Sequence, residues 1–179
     1  MQDFSRTILR TARCVLRPWR GSDAPSLPPI ADTKAISWNT SYRFPYPYDE
    51  AAAKKFLDYH TANPGEDAWL FAILRDQQLI GGCGCERGKD IQSHTAIMGY
   101  WLGVDHWGKG IATEVVTALT AYMGQATNVE KLSATVFGWN PASRRVLEKC
   151  GFVNEGVSKD GVRKWGKTTD LWYYGRPLP

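Results

Sequence analysis

Residues 104–114 read V-D-H-W-G-K-G-I-A-T-E, a stretch that hands a strand to a helix through a loop with almost no side-chain bulk. Gly108 and Gly110 let the backbone turn tightly with its N–H groups pointing one way, and from Ile111 onward the apolar spacing is helical. The loop therefore feeds a helix N-terminus, where unpaired amides and the positive end of the helix dipole attract an anion without a dedicated side chain. Such a seat implies a phosphate-bearing ligand; the competing reading is a tight turn that binds nothing.

Outward from this loop, a strand over 95–104 enters it and a helix over 110–124 leaves it, with Ile111, Val115, Leu119 and Tyr122 recurring every three to four residues. Leu132, Ala134 and Val136 alternate as a further strand, and Asn140-Pro141 pairs a preferred N-cap with a preferred first helical residue, the helix closing at Gly151. Upstream, 13–19 reads as a first strand ended by Pro18, and Pro25, Pro28 and Pro29 keep any helix in 22–38 short. Asp49 caps a helix to about residue 61, with Ala53, Phe56, Leu57 and His60 along one side and Asn63-Pro64-Gly65 as its stop. Strands over 69–74 and 79–85 flank the polar turn Asp76-Gln77-Gln78, and a terminal pair over 152–157 and 168–174 surrounds a basic connection containing Asp160-Gly161. This order predicts a mixed, mostly antiparallel sheet with helices inserted, an α/β (α+β) architecture.

At 179 residues, 43% hydrophobic and 22% charged, the chain fits one globular domain over 1–179. No apolar run approaches the length of a membrane span, and the N-terminus lacks the apolar core of a secretion signal, which predicts the cytoplasm. Cys14, Cys83, Cys85 and Cys150 are irregularly spaced and mostly within apolar segments, as suits reduced, buried thiols better than disulfides or a metal site. The net charge of +4 mildly favours anionic ligands, but Lys and Arg are scattered, which speaks against a nucleic-acid partner.

The run G-Y-W-L-G-V-D-H-W-G-K-G-I-A-T-E, followed about thirty residues later by N-P-A-S-R-R-V-L-E-K-C-G-F, resembles the GNAT superfamily of acyl-CoA N-acyltransferases. More narrowly it is similar to the group containing the ribosomal-protein N-terminal (alanine/serine) acetyltransferases, which T-A-R-C-V-L-R-P-W and F-P-Y-P-Y also fit. The resemblance implies acetyl-CoA as cosubstrate, without a metal, in a cleft where strands 95–104 and 132–137 splay apart. It implies a pantetheine arm against backbone near Leu102, Gly103 and Val104, and a pyrophosphate on the loop of Trp107, Gly108, Lys109, Gly110, Ile111, Ala112 and Thr113. Asn140 and Ser143 would approach the cofactor from the next helix.

A thioester is already activated, so such a protein must position a neutral amine, stabilise the oxyanion and help a thiolate leave. Backbone amides near 102–104 can serve the oxyanion. Where many relatives place a tyrosine as acid, this chain has Leu147; Ser143, one turn earlier on the same face, is the remaining hydroxyl and the expected catalytic residue. A plain capping role for Ser143, at the third helical position, competes with that. Where the narrower group often carries a glutamate base, this chain has Ile97, with Glu86, Asp90, His94 and His106 as alternatives that also suit a solvated surface. Reference pKa values of about 7.8 for an α-amino group and about 10.4 for lysine differ by about 2.6 units, or about 3.5 kcal/mol of deprotonation cost. A site with a weak base should therefore prefer α-amines.

Trp101, Trp107 and Trp139 flank these motifs, where a groove-lining role competes with ordinary core packing. For Lys159, Arg163, Lys164 and Lys167 a contact with an acidic peptide competes with the commoner reading of a solvated hairpin face. Two functions fit: an acetyltransferase acting on a peptide N-terminus or small-molecule amine, and a CoA-responsive regulatory module that lost turnover, as Ile97 and Leu147 would allow. The acceptor lies uncoded in the loops of 22–48 and the terminal hairpin, and a C-terminal sheet edge offers a homodimer contact.

Overall fold

In the computed structural model the described residues are 4–62 and 67–179; the helix stop expected at Asn63, Pro64 and Gly65 lies outside them. Apolar and glycine-rich segments pair as β3 (Ala68–Arg75) and β4 (Gln78–Arg87), both buried on both faces, which is why neither sequence alternates. Their turn has two central residues, Asp76 and Gln77, with φ of +49° and +65°, as in a type I′ hairpin; Gln78 already belongs to β4. On one side lie β2 (Val15–Pro18) and β1 (Leu9–Arg10), so the strand expected over 13–19 is shorter and has a two-residue predecessor. On the other lies β5 (Thr95–Leu102), in unbroken antiparallel register with β4 from Gly81↔Leu102 to Arg87↔Ala96.

The chain then crosses over through α4 (Ile111–Ala126) to β6 (Lys131–Phe137), which runs parallel to β5, as a helical crossover permits. Three helices, α1 (Leu27–Ala31), α2 (Lys34–Trp38) and α3 (Glu50–Ala62), precede β3, and α5 (Pro141–Lys149) follows β6. The antiparallel pair β7 (Val153–Lys164) and β8 (Lys167–Pro177) completes an eight-stranded sheet of order β1-β2-β3-β4-β5-β6-β8-β7. Two cores result. Phe71, Cys83, Cys85, Met98 and Leu132 pack with Ile111, Val115 and Leu119 of α4 on one face, and Leu70 and Ala72 pack with Leu27, Ile36 and Leu57 on the other. All four cysteines are free and buried. Among the described residues, no helix is long and apolar enough to cross a membrane.

Two expectations about the terminal hairpin are corrected. Strand continues through Lys164 and resumes at Lys167 in place of a loop, and the reversal falls at Trp165 and Gly166, with φ of +47° and +77°. Asp160 sits instead in a bulge of β7, between Ser158 and Val162. There the Asp170 carboxylate accepts the Asp160 amide at 3.2 Å and the Lys159 ammonium at 2.8 Å, holding the extra residues. Nor is Lys164 solvated: it is 2% exposed. Its Nζ donates to the carbonyls of Ser37 and, at 2.6 Å, Thr40, and lies against the rings of Tyr42 and Trp165, pinning the hairpin tip onto the end of α2. A lysine stem reaching carbonyls across 127 positions of sequence leaves no local signal.

The Asp49 cap forms as expected, its carboxylate accepting the Ala52 amide at 2.8 Å. Near the other end of α3, His60 stacks on Phe56 with ring centroids 3.6 Å apart and donates Nδ1–H to the Phe56 carbonyl at 2.7 Å. Burial pushes its pKa from 6.5 down to about 4. Between those values the unfolded chain binds a proton that the fold refuses, so stability falls as pH drops from about 6.5 towards 4. In His60→Leu, urea denaturation across that window should give a flatter stability curve than wild type; parallel curves would contradict this.

Candidate functional site

The parting of β5 from β6 opens the site. Parallel pairing holds for Thr95↔Lys131, Ala96↔Leu132 and Ile97↔Ser133 and then stops, because β5 stays in register with β4 to Leu102 while β6 stays in register with β8 to Leu171. The Gly103 amide donates to the Ile80 carbonyl at 2.8 Å and is turned towards β4. The Ala96 carbonyl accepts the Ser133 hydroxyl at 3.4 Å, across the gap. Strand alternation then aims the main-chain groups of Met98, Tyr100 and Leu102 into the cleft. The strand ends at Leu102 rather than 104: a single 3-10 turn over Val104–His106 follows, and the Leu102 carbonyl accepts the Trp107 indole N–H at 2.8 Å.

At the mouth of this cleft lies the glycine loop. Gly108 and Gly110 have φ of +71° and +77°, and Gly110 caps α4 from the left-handed region with no side chain closing the helix. Among the described residues, the amides of Gly108, Lys109, Gly110, Ile111, Ala112 and Thr113 donate no hydrogen bond. Six unspent donors at a helix N-terminus suit an anion of more than one phosphoryl group. The Trp107 amide is not among them, since it donates to the Val104 carbonyl at 3.1 Å.

Arg13 holds this loop in place. Its Nη1 donates to the Lys109 carbonyl at 2.8 Å, and its Nε and main-chain amide reach the two Glu114 carboxylate oxygens at 2.7 and 2.8 Å. Burial works against the Glu114 carboxylate, but hydrogen bonds from Thr11 and Arg13 hold its pKa below the ordinary value. The sequence offered no sign of this clamp, whose ends are 101 positions apart.

Across the cleft, Asn140 caps α5 by accepting the Ser143 amide at 3.1 Å. Its Nδ2 donates to nothing among the described residues. The Ser143 hydroxyl caps no amide; it lies 2.8 Å from the Tyr100 phenol, which reaches it from β5. Tyr100 escaped the sequence reading, although its parity with apolar Met98 and Leu102 places one hydroxyl on a face that is otherwise buried. Burial pushes its pKa up to about 12, against the pull of Ser143, so the phenol keeps its proton at neutral pH. Leu147 is 1% exposed and belongs to the core.

The opposite face of β5 carries Ile97, Gly99 and Trp101. Ile97 is 58% exposed, and a Cβ on Gly99 would meet nothing within 4 Å. Trp139 stacks on Trp38 at 4.2 Å between centroids, and Trp38 on Trp165 at 5.5 Å, so the indoles join the ends of α2, β6 and the terminal hairpin. Of the four residues weighed as a base, Asp90 and His94 are exposed beyond the β4 end, and His106 lies in the 3-10 turn, its pKa lowered by burial and by Lys109 and Arg75. Only Glu86 lies in register with Ile97.

A family model described as an acetyltransferase (GNAT) domain matches residues 13–153. The chain is 32% identical over 116 residues to a probable N-acetyltransferase, YjcK, of Bacillus subtilis (strain 168), covering 64% of each chain. It is 32% identical over 92 residues to the ribosomal-protein-serine acetyltransferase of Escherichia coli (strain K12), covering 51% of each. The chain thus spans less than two thirds of the length of these curated relatives. Among solved structures, RimL, a ribosomal L7/L12 α-N-protein acetyltransferase in complex with coenzyme A, superposes with a TM-score of 0.85. The superposition covers 96% of this chain and 98% of that one, and at 21% identity the likeness is one of fold.

The left-handed cap at the cradle is open to measurement. Gly110→Ala should cost about 1–2 kcal/mol in urea denaturation, the penalty of a Cβ in that region. Gly21→Ala, where a Cβ meets nothing within 4 Å and φ is not positive, should cost clearly less.

Proposed function

The chain belongs to the acetyltransferase (GNAT) domain family, and from that premise we propose that it is an acetyl-CoA-dependent N-acetyltransferase, one domain over 1–179, acting on a low-pKa primary amine such as a peptide α-amine. The observation that carries this reading is the row of six unspent amides at the mouth of the β5–β6 cleft. A diphosphate fits them, and the cleft floor then offers strand-like pairing to an extended arm. Relatives named for N-acetyl transfer, and a like-folded protein named with coenzyme A, support it.

Within this reading the cradle holds the pyrophosphate on amides 108–113, Asn140 offers Nδ2 to the cofactor, and the Leu102 and Val104 amides face the developing oxyanion. The thioester supplies an activated acyl group. Tyr100 and Ser143 together serve the departing sulfur. A phenol of pKa about 12 surrendering its proton to a thiolate of about 8.5 would cost about 4.8 kcal/mol. The pair therefore stabilises the sulfur by hydrogen bonding, and solvent supplies the proton. Buried free thiols suit a reducing cytoplasm, and the open β7 edge is where a second copy would add in a homodimer.

Thiol release from acetyl-CoA is the test, run against peptides of varied first residue, N-blocked lysine peptides and polyamines. We expect α-amines to react faster than lysine side chains at neutral pH. Acetyl-CoA binding without release across the panel would instead establish a CoA-binding regulatory module, the reading that Ile97, with no carboxylate of its own, favours. Ser143→Ala should lower kcat about 10- to 100-fold, the worth of one hydrogen bond to a charged group, with little change in acetyl-CoA affinity by calorimetry. Unchanged turnover would leave Ser143 a structural residue.

A further inference from the structure

We propose that Glu86 receives the acceptor amine and takes its proton, an assignment that rests on the transferase reading above. The cleft has two sides. The hydroxyls of Tyr100 and Ser143 lie on the α5 side, and neither accepts a proton from a cationic amine at neutral pH; the α5 carboxylate, Glu148, is engaged by the Tyr174 hydroxyl at 2.8 Å. On the other side the sheet is open where the strands part, with Ile97 exposed and free space over Gly99. An amine can enter from that side.

Two carboxylates flank that opening. Glu155 reaches over Gly175, the partner of Ser133 on β8, but its Oε1 is matched by the Lys131 ammonium at 2.6 Å. Glu86 stands directly opposite Ile97 on β4, so the two side chains share a face with Cβ atoms about 5 Å apart. Its Oε2 accepts the Tyr59 hydroxyl at 3.0 Å, and among the described residues nothing donates to Oε1. One oxygen is thus held and the other is free to accept an N–H.

The charged and titratable groups around it are few. Arg43 lies over the Tyr59 ring at 5.1 Å, from the loop before α3. His60 follows Tyr59 on α3 and stays neutral down to about 4. Asp67, before β3, is turned to Arg87 at 3.8 Å. None of them neutralises Glu86 by direct contact, so an ammonium gains a charge-assisted partner there. The bound ammonium first gives one proton to Glu86 Oε1 and on to water. As the neutral nitrogen then bonds to the acetyl carbon, the carbon–sulfur bond breaks, CoA leaves with the electron pair as thiolate, and the nitrogen's second proton leaves by the same route. Glu86 would carry the carboxylate that Ile97 lacks, from the neighbouring strand.

Glu86→Gln keeps the Tyr59 bond and the side chain's shape. In steady-state assays with an α-amine peptide, kcat/KM at pH 7 should fall about 100-fold, the low end for a general base. The deficit should shrink as pH rises towards the amine's pKa, while acetyl-CoA affinity by calorimetry stays within twofold. Glu155→Gln should stay within twofold of wild type throughout. An undiminished Glu86→Gln beside an active wild type, or a deficit independent of pH, overturns the proposal alone. A wild type that releases no thiol with any amine overturns the transferase reading and this proposal with it.

Discussion

Everything at the site follows from two neighbouring strands each being more strongly committed to the other side. β5 is tied to β4 and β6 to β8 by seven registered pairs each, whereas β5 and β6 share three. Adjacent strands in a twisted sheet cannot satisfy both neighbours where those neighbours diverge. What is left is a wedge lined by main-chain donors and acceptors inside an otherwise paired sheet. Unsatisfied backbone in such a place is costly unless a ligand or water completes it. A cleft of this kind binds an extended, amide-bearing arm with little help from side chains.

The loop at the wedge's mouth works by the same economy. Left-handed glycines and an uncapped helix leave six amides unspent, and Arg13 fixes the loop against the first strands through Lys109 and Glu114. The glycine loop and the wedge are therefore one structure built almost wholly of backbone. Side-chain chemistry enters only at the apex, with hydroxyls on one side of β5 and a carboxylate on the other. That division suits a reaction in which charge appears on a leaving sulfur and a proton must leave an attacking nitrogen on the opposite side.

Much of this was legible in the chain itself. The glycine loop and the helix that leaves it, the Asn140-Pro141 start of α5 and the Asp49 cap formed as their residues indicate, since each signal acts within a few positions, while the strand entering the loop ends two residues early. The terminal hairpin was read too short because the bulge at Asp160 looks locally like a turn, and only its bonds to Asp170 show it to be part of a strand. Lys164 was misplaced because a basic run reads as solvated unless one knows which carbonyls wait for it.

By itself the sequence determined the periodicities, the caps and the tight glycine turn, and with them the resemblance to the family, because backbone preferences and hydrophobic spacing are set by neighbours along the chain. The tertiary structure alone decided which groups meet: Tyr100 with Ser143, Arg13 with Glu114, and Glu86 opposite Ile97. Those pairings depend on register between strands and on the packing of α4 and α5, where one residue of slip would turn each side chain to the other face of the sheet.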